Sequence, residues 1–211
     1  MKLYDYYRSS SAYRVRIALA LKQIDASIIP INLREGEQCT SAYLSHNVQG
    51  LVPTLIDNDH TLTQSLAIIE YLDECYPTPP LLPASPYERA QVRAFAQIIA
   101  CEIHPLNNLR VLNTLREEWQ ADPEQIQTWY HHWLKKGFDA IESQLTQYPR
   151  NEPFCYTNQV TLADICLVPQ IYNAKRFEFS LEPYPMIQSI NNHCETLPAF
   201  IQAHPKQHET Q

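Results

Sequence analysis

The sequence predicts two units of different class in one chain, a small α/β unit with a mixed four-stranded sheet followed by an all-helical unit. Three observations carry this. Residues 1–75 alternate short strand-like runs with two apolar-rich helical patterns. Residues 76–86, Y-P-T-P-P-L-L-P-A-S-P, hold five prolines and suit neither helix nor central strand. Beyond them, the periodic stretches repeat at helical spacing. The first domain is therefore expected over 1–80, an extended linker over 76–86, and a helical domain over 87–211.

Leu3, Tyr4, Tyr6 and Tyr7 read as a short aromatic strand, and from Ala12 onward Val15, Ala18 and Leu19 recur at helical spacing. Ser27–Asn32 reads as a second strand, and Val52–Asp57 with Thr61–Thr63 as a hairpin turned by Asn58-Asp59. S-L-A-I-I-E-Y-L-D-E-C from Ser65 to Cys75 is an apolar-rich helix. This order gives a small α/β unit with a mixed sheet. In the helical part, Val92, Phe95, Ala96, Ile99 and Ile103 mark one apolar face and Leu134, Phe138, Ile141 and Leu145 another. Thr161-Leu162-Ala163-Asp164 resembles a capping box opening a helix to about Ala174, with Pro169 as a candidate kink. H-P-K-Q-H-E-T-Q at 204–211 reads as a frayed tail.

Composition bounds the function. Of 211 residues, 45% are apolar and 18% charged, an ordinary globular balance, and the net charge of −7 gives no footprint for nucleic acid or an anionic membrane. No apolar run approaches the ~20 residues that span a bilayer. The six cysteines form no C-x-x-C pair and M-K-L-Y-D-Y-Y lacks the apolar core of a signal peptide, so free thiols in a reducing cytoplasm are expected. Gly36, Gly50 and Gly137 match neither a dinucleotide fingerprint nor a P-loop. Cys101-x-x-His104 and His131-His132 lack a second pair at zinc spacing, so no metal is expected.

The most informative stretch is R-S-S-S-A-Y-R-V-R-I-A-L at 8–19, with three hydroxyls and three cations where a strand hands over to a helix. Helix N-termini present unpaired N–H groups and the positive end of the dipole, and serine adds rotatable donors, so the junction suits an anion. A cap accounts for one serine, but not for three with Arg8 beside them. Arg14 and Arg16 read as solvent-facing or paired with Asp or Glu.

Together with L-V-P-T-L at 51–55, Q-S-L-A-I-I-E-Y-L at 64–72, H-P-L-N-N-L-R-V-L at 104–112 and T-L-A-D-I-C-L-V-P-Q at 161–170, this stretch resembles the cytosolic glutathione transferases over nearly the whole chain. The nearest class is zeta, the maleylacetoacetate isomerases. The resemblance implies a thioredoxin-like N-terminal domain, a helical substrate domain, glutathione as cofactor and a cytoplasmic homodimer. Ser9 takes the place of the class's thiolate-stabilising serine, followed by Ser10 and Ser11. Lowering a thiol pKa by about two units needs roughly 2.7 kcal/mol, within reach of hydroxyl and N–H donors at a helix start. Val52-Pro53 matches the family's cis X-Pro, whose Val52 backbone pairs with the cysteinyl part of glutathione. Gln64 and Ser65 match the γ-glutamyl site, Gln38 a glutathione-contacting glutamine, and His104, Asn108 and Arg110 further glutathione contacts.

The implied reaction is cis–trans isomerisation of a maleyl keto acid by reversible thiolate addition, maleylacetoacetate before maleylpyruvate, in tyrosine and phenylalanine breakdown. Its dicarboxylate substrate and enolate intermediate call for several cations, and Arg8, Arg110 and Arg176 are the candidates. Each helical-domain candidate keeps an alternative: Arg110 paired with Glu117 or Glu118, Arg176 with Glu178, and His104 filling the helix break before Pro105. Spacing places His104 and Asn108 on one face of a single helix, with Asn107 and Arg110 partly around it. Animal members usually read S-S-C-x-W where this chain has Ser11 and Tyr13, whereas bacterial members often lack that cysteine. Ser11 is accordingly a hydrogen-bond donor and not a nucleophile. A general transferase or peroxidase, and a glutathione-fold binder without turnover, are the alternative functions.

Overall fold

The computed structural model describes residues 1–147 and 153–209, which form two compact units: Met1–Leu81 with the segment from Thr196 onward, and Leu82–Glu195. The first unit runs β1 (Lys2–Asp5), α1 (Ser10–Leu21), β2 (Ser27–Pro30), α2 (Ser41–Leu44), β3 (Thr54–Asp57), β4 (His60–Thr63) and α3 (Ser65–Cys75). Its sheet has the order β2-β1-β3-β4. Leu3 sits opposite Ile28 in the parallel β1–β2 pair and opposite Leu55 in the antiparallel β1–β3 pair, and Leu55 opposite Leu62 in the β3–β4 hairpin. The mixed sheet and the helical second unit are those expected from the sequence. Strand β3 starts at Thr54 instead of Val52, since Pro53 has no N–H to give a ladder.

Helix α1 is enclosed on nearly every side. It packs against α3 and against α9 (Pro198–Ala203), and Ala12 through Leu19 are all buried. A helix covered all round has no solvent face for its cations. Arg16 and Arg14 are therefore buried and not solvent-facing. Arg16 Nη1 pairs with Asp5 at 2.6 Å, Arg16 Nε donates to the Ala203 carbonyl at 3.0 Å, and Arg14 Nη1 donates to Ser65 Oγ at 3.5 Å.

Two expectations are corrected here. The tail is not frayed over 204–209: Pro205 is buried, His208 Nε2 bonds the Gln202 carbonyl at 3.0 Å, and His204 meets the Tyr13 ring edge-on. Residues 210–211 of that expectation lie outside the described residues. The segment from Thr196 thus leaves the helical unit, where the expected 87–211 domain had placed it. The start of the proline-rich stretch is anchored to the ends of α1 and α3. Lys22 Nζ bonds Asp73 and the carbonyls of Tyr76 and Pro79, Leu81 N bonds the same Asp73 carboxylate at 2.8 Å, and Leu81 is buried.

In the second unit α4 (Pro86–Gln97) passes into π-helical turns over Ile98–Ile103, followed by α5 (Leu109–Glu117), α6 (Pro123–Gln147), α7 (Leu162–Arg176) and α8 (Pro185–Cys194). The expected stripes are buried, and the α6 stripe begins earlier, at Ile126 and Tyr130. Helix α7 continues through Pro169 to Arg176. Asp164 receives bonds from Thr161 N at 2.8 Å, Thr161 Oγ1 at 3.0 Å and Cys155 N at 2.7 Å, which ties the preceding loop to the first turn of α7. Burial pushes its carboxyl up, and the Thr161 and Cys155 donors oppose that shift. Among the described residues no helix is long and apolar enough to cross a membrane, and no cysteine is in a disulfide.

Candidate active site

At the end of β1 the chain turns, with Ser9 N donating to the Tyr6 carbonyl at 2.7 Å, and Ser9 becomes the N-cap of α1. Its Oγ accepts from Ala12 N at 3.3 Å and lies 3.1 Å from Ser11 Oγ, which donates to the Val52 carbonyl at 3.1 Å. A hydroxyl has one proton, and a carbonyl only accepts. Ser11 spends its proton on Val52, so Ser9 is the donor in the Ser9–Ser11 contact. The result is a directed chain from Ala12 N–H through Ser9 and Ser11 to Val52, each link polarising the next. An anion arriving at this helix N-terminus competes with Ser11 for the Ser9 proton and finds the positive end of the α1 dipole beside it.

Val52-Pro53 is a cis peptide, as the resemblance implied. The loop that presents it is held by groups that sequence reasoning missed. Tyr43 Oη and Asn47 Nδ2 both donate to the Leu51 carbonyl, at 2.5 and 2.7 Å, and both also bond Thr54 Oγ1. Tyr43 and Asn47 are buried, and no local pattern in the sequence signals this clamp. Gly50 adopts φ +61°, and a side chain there would approach the Gln38 carbonyl to 3.1 Å.

Gln38 Nε2 donates to the Leu33 carbonyl at 3.4 Å, while its Oε1 is buried without a hydrogen-bond partner among the described residues. Gln64, at φ 69° and ψ 113°, holds a backbone conformation that costs a non-glycine residue about 1–3 kcal/mol and recurs at ligand clamps. Its Nε2 donates to Gln49 Oε1 at 2.8 Å. Ser65 is the first residue of α3, not its cap, and its Oγ accepts from Arg14. Arg8 lies 4.9 Å over the Tyr7 ring and 3.6 Å from Glu209, a half-exposed pair worth little on its own. Ser10 is buried in the first turn.

In the helical unit the single-helix geometry is corrected. His104 follows the π-helical turns, Pro105 breaks the ladder, and Asn108 is the N-cap of α5, accepting from Arg110 N at 3.1 Å. His104, Asn108 and Arg110 therefore share a turn, not a helix face. Arg110 is exposed and makes no ion pair with Glu117 or Glu118. Arg176 is the last residue of α7 instead of following it, donates to Asn173 Oδ1 at 3.1 Å and lies 5.9 Å over the Tyr172 ring, with no bridge to Glu178. Among the described residues no group of three His, Cys, Asp or Glu is placed to hold a metal ion.

Residues 1–74 match the family described as glutathione S-transferase, N-terminal domain. The maleylacetoacetate isomerase of Pseudomonas aeruginosa is 48% identical over 208 residues, covering 97% of this chain and 96% of that protein. The chain belongs to the maleylacetoacetate isomerase family of zeta-class glutathione transferases. Among solved structures, a bacterial zeta-class maleylpyruvate isomerase superposes with a TM-score of 0.96 at 43% identity, covering 97% of both chains. A maleylacetoacetate isomerase from Methylobacterium extorquens, solved with malonate and glutathione bound, gives 0.94 at 36% identity, with 97% of this chain and 96% of that one covered. The thioredoxin-like first unit is the part of this zeta-class chain that carries the Ser9–Ser11–Val52 cluster.

Proposed function

We propose that the protein is a glutathione-dependent cis–trans isomerase that converts maleylacetoacetate to fumarylacetoacetate in tyrosine and phenylalanine breakdown, acting as a cytoplasmic homodimer. The observation that carries this reading is the directed hydroxyl chain at the start of α1, in which the Ser9 proton, donated to Ser11, is the one an incoming anion can draw to itself. Glutathione suits the residues present: hydroxyl and N–H donors for a thiolate, the Val52 backbone for its cysteinyl part, and Gln38 with an unsatisfied carbonyl oxygen. When bound, it supplies a thiolate that adds reversibly to the conjugated double bond and is regenerated.

In this reading Ser9 holds the thiolate and Ser11 aligns Ser9 by anchoring to Val52. Gln64 and Ser65 receive the γ-glutamyl carboxylate at the start of α3, and Ser10, His104, Asn108 and Arg110 complete the glutathione contacts. Arg8, Arg110 and Arg176 take the substrate carboxylates and stabilise negative charge as it develops, a role that neutral electrophiles would leave unused. Maleylpyruvate is the second substrate reading, supported by the likeness to a solved maleylpyruvate isomerase.

The test is incubation with glutathione and either maleyl substrate, following formation of the fumaryl product. Conversion of at least one is expected. Failure on both, with good conjugation of a chlorinated aromatic, overturns the isomerase reading in favour of a general transferase. Ser9→Ala is expected to weaken thiolate formation, read from the thiolate absorbance of bound glutathione, while leaving carboxylate affinity unchanged.

A further inference from the structure

The two arginines of the helical unit read as carboxylate ligands stand on different elements, Arg110 in the first turn of α5 and Arg176 at the end of α7. Three consecutive residues of α6 grip both. Trp129 Nε1 donates to the Leu106 carbonyl at 2.9 Å, and buried Asn107 donates from Nδ2 to the Tyr130 carbonyl at 3.1 Å. These two bonds fix the turn that ends at Asn108, whose side chain caps the helix carrying Arg110. On the other side the Tyr130 ring stacks on Phe177, the residue after Arg176, with centroids 3.7 Å apart and planes 10° from parallel. His131 Nε2 bonds the Phe177 carbonyl at 2.7 Å, and since a carbonyl only accepts, that nitrogen carries the proton. Phe177 N in turn closes the end of α7 on the Asn173 and Ala174 carbonyls. Tyr130 is 2% exposed and takes part in both grips, so neither arm shifts without disturbing the other.

We propose that Trp129, Tyr130 and His131 are positioning residues that set the span between the Arg110 and Arg176 guanidiniums, and through it the length of dicarboxylate the enzyme prefers. The inference rests on the reading of both arginines as carboxylate ligands. None of the three α6 residues is assigned to touch substrate. Their effect comes from geometry: two cations on one brace hold two carboxylates at a fixed separation, whereas loosely held cations accept several separations at a cost in affinity for each.

The test uses His131→Leu, which removes the Phe177 bond, His131→Gln, which retains a side-chain N–H, and Trp129→Phe, which deletes one hydrogen bond but keeps a ring. Malonate, succinate, glutarate and adipate serve as competitive probes of length. The wild type is expected to favour one length by about tenfold, equivalent to about 1.4 kcal/mol. In His131→Leu and Trp129→Phe that preference falls to roughly threefold or less. In His131→Leu, which acts at the end of α7, KM for the maleyl substrate rises about tenfold while kcat and KM for glutathione stay within about twofold; Trp129→Phe, which loosens the turn that also carries Asn108 and Arg110, raises both KM values. His131→Gln recovers most of the preference. A wild type indifferent to length, or folded variants with unchanged preference, overturns the brace; so does a parallel rise in both KM values in His131→Leu, which is general loosening. Arg110→Ala and Arg176→Ala separate the two levels. If neither raises KM for the maleyl substrate, the carboxylate reading fails and the brace with it; if they do and the α6 variants do not, the brace alone fails.

Discussion

Replacing Gly137 by alanine puts a methyl group where Ile103 already sits. A Cβ built on Gly137 falls 2.2 Å from Ile103 Cδ1 and 2.3 Å from Cγ1, more than 1 Å inside ordinary van der Waals contact. Helix propensity argues the other way, since glycine to alanine in a helix interior gains about 1 kcal/mol. Overpacking a close-fitting core costs about 1–3 kcal/mol, and here the intruded side chain is β-branched, fully buried and unable to swing aside. With contacts as short as 2.2 Å the packing term falls at the upper end, about 2–3 kcal/mol, and a net loss of about 1–2 kcal/mol is expected, a fall in Tm of roughly 2–8 °C for a chain of this size. Ile103→Ala removes both clashing carbons and leaves Cβ at 3.8 Å, so the double variant should be more stable than the sum of the single effects by about 1–3 kcal/mol. Urea or thermal unfolding of the four proteins measures the cycle. A Gly137→Ala variant with a raised Tm, or single effects that simply add, would refute the contact.

Three other outcomes follow from the same kind of reasoning. Asp164→Ala leaves the buried Thr161 and Cys155 N–H groups without their acceptor and should cost about 3–5 kcal/mol in urea unfolding, among the largest single-residue losses in the helical unit. Asp5→Ala strands the buried Arg16 charge at a similar cost of about 3–5 kcal/mol, and the apolar pair Asp5→Leu with Arg16→Met should recover most of it; a double variant as unstable as Asp5→Ala would count against pairing as the reason. His208 is held below its ordinary value of 6.5 by burial and then by the Arg16 charge, against the Gln202 carbonyl and Asp5. A base with a lowered folded pKa contributes fully above 6.5 and loses that contribution as pH falls through the lowered value. Protection of the amides in residues 196–209, taken relative to the intrinsic exchange rate at each pH, should therefore fall on acidification from neutral pH in the wild type, and His208→Gln should remove that dependence.

How much was legible in the sequence varied with the range of the interaction involved. The β1-α1-β2 run, the Asn58-Asp59 hairpin and the helix from Ser65 were readable because period and turn chemistry act over a few neighbours. The serine cluster at a strand-to-helix junction was readable for the same reason, being one loop and one helical turn. Spacing failed at His104, where periodicity continued across Pro105 but the backbone did not: the π-helical turns and the Asn108 cap split the expected helix into two elements. For Arg16 the expected pairing with an Asp held, with Asp5 as the partner, but the burial of Arg14 and Arg16 was not legible, since nothing in a local window shows that α9, almost two hundred residues later, covers the same helix.

By itself the sequence determined the class of each unit, the family, and the residue types gathered at the start of α1, because local propensity and short motifs encode them. Tertiary structure alone decided the direction of the hydroxyl chain, since only the 3.1 Å contact of Ser11 with Val52, forty-one residues away, shows which serine donates to the other. It also decided the return of the C-terminal segment to the first unit and the bracing of Arg110 and Arg176 by α6. These are contacts between distant segments, set by which surfaces remain to be covered once the elements have formed, and no window of sequence contains both partners.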